Sequence, residues 1–164
     1  MRKRIAALLA AVPATSLAAN LALTIEIPKV TVAEYHRPYV AMWIEKPDQT
    51  FAANLAVWYD TRPKTTDNGT TWLKDLRQWW RKSGRELTMP ADGVSGATRP
   101  PGIHNVVFAN GKGIQPGSYL LVVEAVREVG GRELIRIPFE WPAKSTVSTN
   151  GKTELGAITL TVKP

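Results

Sequence analysis

Apolar and polar residues alternate along most of this chain, with the two-residue period of a strand that buries one face. The alternating segments are rich in β-branched and aromatic residues, and turn-forming residues separate them. They span residues 21–27, 39–45, 53–59, 103–109, 118–129, 133–141 and 155–162. Gly130-Gly131, between two of these segments, predicts a two-residue hairpin. The pattern therefore predicts about seven strands.

One segment departs from this alternation. Apolar residues recur at helical spacing over residues 72–82, and Ser83-Gly84 follows as a stop signal. We expect one short helix there. Trp79 and Trp80 are adjacent and cannot both face one side of a helix, so we expect one of them to be exposed. That ring either lies over the sheet edge or offers a stacking surface to a planar cofactor or a partner.

The strands, turns and single helix predict a mostly β protein. We expect an immunoglobulin-like antiparallel β-sandwich over residues 19–164, because short alternating strands with turns every 8 to 12 residues are typical of that architecture. Residues 110–119 resemble a turn and strand of the immunoglobulin-like domain of flagellar hook-capping proteins, which implies the same fold. The length of 164 residues favours one domain.

The N-terminus has the features of an export signal. A positive region at residues 2–4 precedes an apolar run at residues 5–14, and small residues follow as far as Ala18. This order is typical of a secretory signal peptide, and the run is shorter than the about 20 residues that a membrane-spanning helix needs. We expect a signal peptide over residues 1–18, cleavage after Ala18 and a periplasmic protein that does not span the membrane. The alternative is an amphipathic first helix.

The charge of the chain argues against a nucleic-acid partner. The sequence has 21 basic and 14 acidic residues and a net charge of +7, and three of the basic residues lie in the expected signal. Without those three, 18 basic residues remain against 14 acidic ones, and the net charge falls to near +4. A nucleic-acid-binding protein usually carries a dense basic stripe. We therefore expect no nucleic-acid partner.

Residues suited to hydrolysis or metal binding are scarce. The chain has no cysteine, which excludes disulfides and thiolate ligands. Its two histidines, His36 and His104, lie on separate predicted strands or strand edges, and no nucleophile elbow accompanies them. A metal site would require folding to bring both together with carboxylates, and surface histidines are the alternative. We expect no catalytic residues and no metal, so redox chemistry would need a cofactor.

The most informative motif spans residues 92–98, which read DGVSGAT within a Gly- and Pro-rich stretch that predicts a loop. The pattern D-x-x-S-G-A-T resembles the acceptor motif of proteins that carry FMN covalently, such as the FMN-binding domains of sodium-pumping quinone reductases. There the phosphate of FMN is joined to the hydroxyl of the last Thr. The resemblance implies that a flavin transferase attaches FMN to Thr98. The alternative is a motif that persists only as a structural turn.

The other motif positions have roles that suit this chemistry. Gly96 and Ala97 leave the backbone accessible to the transferase, and Ser95 can hydrogen-bond locally. Asp92 would orient the loop or contact the transferase. Arg99 follows the attachment residue and is placed to pair with the new phosphate. With Thr98, these residues form the predicted cofactor-binding set.

Nearly the whole mature chain resembles a family of uncharacterised periplasmic proteins, through residues 39–45, 75–80, 92–102 and 116–119. Members tend to be encoded beside a PepSY-type membrane protein and a flavin transferase. The resemblance implies these two partners and an envelope redox pathway. The sequence therefore favours a periplasmic electron carrier with FMN on Thr98, which is no enzyme by itself. The alternative is a cofactor-free periplasmic immunoglobulin-like binding or assembly module.

Overall fold

Nine strands form two packed sheets in the computed structural model, which describes residues 19–62 and 69–163. The strands are β1 (Asn20–Ile27), β2 (Tyr39–Glu45), β3 (Phe51–Tyr59), β4 (Ser95–Ala97), β5 (Gly102–Ala109), β6 (Gly117–Val126), β7 (Arg132–Trp141), β8 (Ser145–Asn150) and β9 (Ala157–Lys163). The predicted mostly β sandwich is confirmed. The predicted signal peptide, residues 1–18, lies outside the described residues.

The two sheets pack face to face around one apolar core. The four-stranded sheet has the order β5-β1-β9-β8, and the five-stranded sheet has the order β4-β3-β2-β6-β7. Along β1 every second residue is buried, so Leu21, Leu23 and Ile25 point into the core while the residues between them face outwards. The outer face of the four-stranded sheet stays partly polar, which is the usual pattern for an antiparallel sheet that is covered on one side only.

The five-stranded sheet is covered on both faces. Its inner face packs on the other sheet, whereas Ala41 and Trp43 of β2 point outwards into a second apolar cluster. Leu73, Leu76 and Trp79 of the connection between β3 and β4 complete that cluster. Burial on both sides explains why β2 reads as a nearly continuous apolar run rather than a strict alternation.

The connection that covers the outer face contains helical turns. A 3-10 helix spans Gly69–Asp75, helix α1 spans Arg77–Lys82, and a second 3-10 helix spans Gly84–Glu86. Leu76 precedes α1 and offers no capping side chain. The carboxylate of Glu124 on β6 takes that role, because it accepts hydrogen bonds from the backbone N–H groups of Gln78 and Trp79. A strand residue thus caps the helix.

Several predicted details differ from the structure. The expected helix 72–82 divides at Leu76, and the Gly130-Gly131 turn is part of a five-residue connection, because β6 and β7 pair from Val126 and Arg132 onwards. Two short strands, β4 and β8, were not predicted. Both consist largely of Ser, Gly, Ala, Thr and Asn, which carry little apolar periodicity.

Candidate functional site

Part of the acceptor-like motif, Ser95–Ala97, forms an edge strand within the stretch that was expected to be a loop. β4 runs parallel to β3, with Ser95, Gly96 and Ala97 opposite Val57, Trp58 and Tyr59. The backbone N–H of Val57 donates to the carbonyl of Val94 over 2.8 Å, and that of Thr98 donates to the carbonyl of Tyr59 over 3.0 Å. These bonds fix the main chain on both sides of the three-residue strand. The structure therefore holds the backbone of Thr98 at the edge of the five-stranded sheet.

The turn that leads into β4 is closed by Ser95. Its backbone N–H donates to the carbonyl of Ala91 over 2.9 Å, and its side-chain oxygen accepts from the N–H of Ala91 over 2.8 Å. Gly93, at the turn, has a φ of +67°, which favours glycine. Asp92 is exposed beside it. Ser95 thus makes the local hydrogen bonds expected of it.

A second turn holds this one in place. Residues 110–113 all have positive φ, including Asn110 at +51° and Lys112 at +58°. The left-handed backbone brings Lys112 to the motif, where its Nζ donates to the carbonyl of Gly93 over 2.6 Å. Non-glycine residues in this conformation are strained, and such strain is retained where the surrounding structure requires it. The Lys112 contact links the two turns.

Gly96 packs against the ring of Trp58. An ideal Cβ on Gly96 would lie 3.1 Å from Cδ1 of Trp58, which is closer than an ordinary contact. The guanidinium carbon of Arg99 lies 5.3 Å from the centre of the same ring, and the His104 ring lies 5.9 Å from it. Arg99 therefore rests on a core tryptophan, and its expected pairing with a phosphate stays a prediction.

Thr98 lies at the wall of a cavity with a volume of about 840 Å³. The cavity opens at one end of the five-stranded sheet, where β4 ends, β3 ends before Asp60 and β2 begins at Tyr39. The hydroxyl of Tyr39 donates to the carbonyl of Gly69 over 3.0 Å, which ties the first 3-10 helix to this end. That helix places Trp72 in the cavity wall, where its side chain is 47% exposed.

The cavity wall is rich in charged groups. Arg62 makes a bidentate pair with Asp60, with both N–O distances at 2.9 Å. His36 contacts Glu128 over 3.3 Å. Arg37 also lines the cavity and forms no ion pair with any residue of 19–62 or 69–163. The wall thus offers the Arg37 guanidinium to an anionic or electron-rich ligand.

Two buried donors belong to residues of the cavity wall. Arg127 is 8% exposed and pairs with Glu154 over 2.8 Å, yet its Nη1 has no hydrogen-bond partner among the described residues. The hydroxyl of Tyr35 also lacks a partner there. Burial raises the pKa of the Tyr35 phenol, although Arg127 and Arg37 oppose the rise, so the hydroxyl stays protonated at neutral pH.

The structure locates the other candidate residues. Trp79 is buried, Trp80 is half-buried against the outer cluster, and the more exposed ring is Trp72. His104 lies against Trp58 and contacts the carbonyl of Pro100 over 2.8 Å, whereas His36 contacts two glutamates. The described part of the chain holds no group of three or more His, Asp and Glu side chains placed to bind a metal ion. The histidines therefore form no shared site.

Sequence reasoning missed the residues that line the same cavity as Thr98. Arg37, Trp72 and Arg127 come from three separate connections, and no motif joins them. For Lys112 the sequence contained a partial indication, because Asn-Gly-Lys-Gly predicts an unusual turn at its position. Nothing in that turn indicated which neighbour Lys112 would reach.

The comparison with protein families identifies the chain's relatives. Residues 20–157 match the family described as predicted periplasmic protein (DUF2271). The chain belongs to this family. No curated protein and no solved structure matches it. Among residues 19–62 and 69–163, no helix combines the length and apolar character needed to cross a membrane.

Proposed function

We propose that this member of the predicted periplasmic family is an electron-transfer protein that carries FMN on Thr98 through a phosphoester bond. The observation that carries the proposal is the place of the D-x-x-S-G-A-T motif. Its last residue, Thr98, directly follows the edge strand β4 and lines the cavity of about 840 Å³. A volume of about 300–1,000 Å³ is typical of small-molecule sites. A group attached to Thr98 therefore has protein surface beside it.

Attachment would follow the chemistry of a flavin transferase that uses FAD and a divalent metal ion. The Thr98 hydroxyl oxygen forms a bond to the phosphorus atom of the FMN half of FAD. The bond from that phosphorus to the bridging oxygen breaks, AMP leaves, and a base of the transferase takes the hydroxyl proton. No electrons are exchanged in this step. Oxidation and reduction begin only with the attached flavin, which supplies that chemistry.

The position of β4 suits modification by another protein. β4 has three residues, is the edge strand of its sheet and pairs only with β3 among the described strands. Ala97 and Arg99 are exposed and Thr98 is partly so. A transferase can reach a short edge strand without opening the core, because few backbone hydrogen bonds hold it.

The residues around Thr98 also fit a flavin. The aromatic ring of Trp72 can stack on the isoalloxazine ring, while Arg37 can pair with electron-rich atoms of the ring or phosphate. Chain residues would hold the group, exclude water from one side of it and set the local charge. As proposed partners, the transferase installs the flavin and a PepSY-type membrane protein reduces it.

The test is co-expression with a flavin transferase, followed by intact-mass and visible absorption measurements on wild type, Thr98→Ala and Thr98→Ser. Wild type and Thr98→Ser keep a hydroxyl and are expected to gain one FMN and a yellow colour. Thr98→Ala is expected to gain neither. Unmodified wild type would refute the proposal and favour the cofactor-free binding or assembly module.

A further inference from the structure

We propose that the cavity beside Thr98 is the docking site of the isoalloxazine ring, with Trp72 as its stacking surface. This inference rests on the proposed function, since Thr98 must first carry FMN. The attachment motif requires only an accessible hydroxyl. It does not determine whether the attached ring extends into solvent or rests on the protein. The surroundings of Thr98 favour the second arrangement.

The first argument is position. Thr98 and Ala97 line the cavity, so a group joined to the Thr98 hydroxyl starts at the cavity wall. Trp72 contributes to another part of the wall, and its side chain is 47% exposed. An aromatic ring of this size gives a planar ligand a large stacking area at little conformational cost.

Trp72 is held by its segment. The Tyr39 hydroxyl donates to the carbonyl of Gly69, and an ideal Cβ on Gly69 would collide with the carbonyl oxygen of Asp60. The start of the 3-10 helix is therefore packed directly on the ends of β2 and β3. Leu73, next to Trp72, is fully buried in the outer cluster. The backbone that carries the Trp72 ring is thus fixed relative to Thr98.

The second argument comes from polar groups of the wall. The Tyr35 hydroxyl and Arg127 Nη1 are buried donors without a partner among the described residues, and both side chains line the cavity. Buried donors of this kind normally have a partner in the protein, in water or in a ligand. The carbonyl oxygens and ring nitrogens of isoalloxazine are acceptors. Neither donor atom is exposed on the cavity surface, so a bound ring reaches them once the Tyr35 and Arg127 side chains turn towards it.

The third argument is charge. Arg37 and Asp75 line the cavity, and neither forms an ion pair with another described residue. The ring gains negative charge on reduction, so a nearby cation raises the reduction potential and a nearby anion lowers it. Substitutions at these two positions should therefore shift the potential in opposite directions if the ring lies in the cavity.

The experiment uses full-length protein flavinylated by co-expression, with each variant checked first by intact mass. Wild type, Trp72→Ala and Ile103→Ala are compared by flavin fluorescence and by quenching with iodide. Ile103 is an exposed apolar residue on β5 and serves as the control. Urea-unfolded flavinylated protein gives the reference for a fully exposed ring.

We expect wild-type fluorescence several-fold below that of the unfolded reference and weaker iodide quenching. Trp72→Ala should raise both values towards the reference, while Ile103→Ala should leave them unchanged. Redox titration should show a lower potential for Arg37→Gln and a higher one for Asp75→Asn. This charge pair keeps the test informative if Trp72→Ala fails to fold.

The outcomes separate the two proposals. A wild-type protein without the FMN mass would refute the proposed function and the ring site together. A correct mass with wild-type fluorescence and quenching equal to those of the unfolded reference, and potentials unaffected by Arg37→Gln and Asp75→Asn, would overturn the ring site alone. FMN would then be a tethered group exposed to solvent.

Discussion

Replacing Gly96 with Ala tests whether packing requires glycine inside the motif. The added Cβ would lie 3.1 Å from Cδ1 and 3.6 Å from Nε1 of Trp58. Trp58 is 2% exposed, and the Arg99 side chain and the His104 ring lie against it, so the ring has little room to move. Overpacking costs about 1–3 kcal/mol. Ala gains roughly 0.5–1 kcal/mol over Gly within a strand. We therefore expect a net loss of roughly 1 kcal/mol in the free energy of unfolding.

Equilibrium urea unfolding measures this loss. With an m-value of about 1–3 kcal/mol/M, the midpoint should fall by roughly 0.5 M. Ala97→Ser changes the next, exposed position and should stay within about 0.5 kcal/mol of wild type. In a Trp58→Phe background the smaller ring should relieve the contact, so the added effect of Gly96→Ala should shrink towards zero. A neutral single variant, or an equal loss in both backgrounds, would refute the packing argument.

Three further predictions concern the supports of the site. Glu124→Ala removes the carboxylate that caps α1 and pairs with Arg132 over 2.6 Å, and should reduce the unfolding free energy by about 3 kcal/mol in urea titration. Lys112→Met removes the donor to the carbonyl of Gly93 and should speed hydrogen exchange of the amides in the turn before β4 several-fold. Burial raises the pKa of the Glu133 carboxyl, but hydrogen bonds from four backbone N–H groups outweigh burial and hold this pKa below its usual value. The ionised Glu133 carboxylate therefore stabilises the folded protein fully above a pH of about 4.3, and this stabilisation is lost as the pH falls through the lower folded-state pKa. Glu133→Gln should accordingly make the free energy of unfolding depend less steeply on pH in the acid range.

Matched controls separate these effects from general damage. Glu86→Ala removes an exposed carboxylate and should change stability by less than about 0.5 kcal/mol. A similar small effect of Glu124→Ala would contradict the capping role. Lys144→Met is the control for hydrogen exchange. Equal exchange rates in Lys112→Met and wild type would show that the Lys112 contact does not stabilise the turn before β4. Glu140→Gln should leave the acid unfolding curve unchanged, whereas an unchanged curve for Glu133→Gln would contradict its linkage to stability.

The sequence predicted the longer strands because their apolar periodicity follows directly from burial of one face. β1 alternates strictly, and its predicted range, 21–27, lies within the observed strand. β2 was also found, although burial on both faces weakens its alternation. β4 could not be found, because its pairing is set by the free edge of β3 and not by the propensity of Ser-Gly-Ala. The position of β4 is therefore set by its tertiary contact with β3.

The motif was visible in the sequence, but the cavity beside it was not. Consecutive residues define the motif, so pattern alone locates Thr98. Arg37 and Trp72 approach it only because connections between different strands meet at one end of the sheet. The structure also gives two of the motif residues structural roles that do not depend on a transferase. Ser95 closes its own turn, and Gly96 makes room for Trp58.

The most direct test of the central claim is flavinylation of the purified protein with FAD, a divalent cation and a flavin transferase. The account predicts one FMN per chain, an equal amount of released AMP, and fragment masses that place FMN on Thr98 rather than on Ser95, the other hydroxyl of the motif. No mass gain, or FMN at another residue, would contradict it.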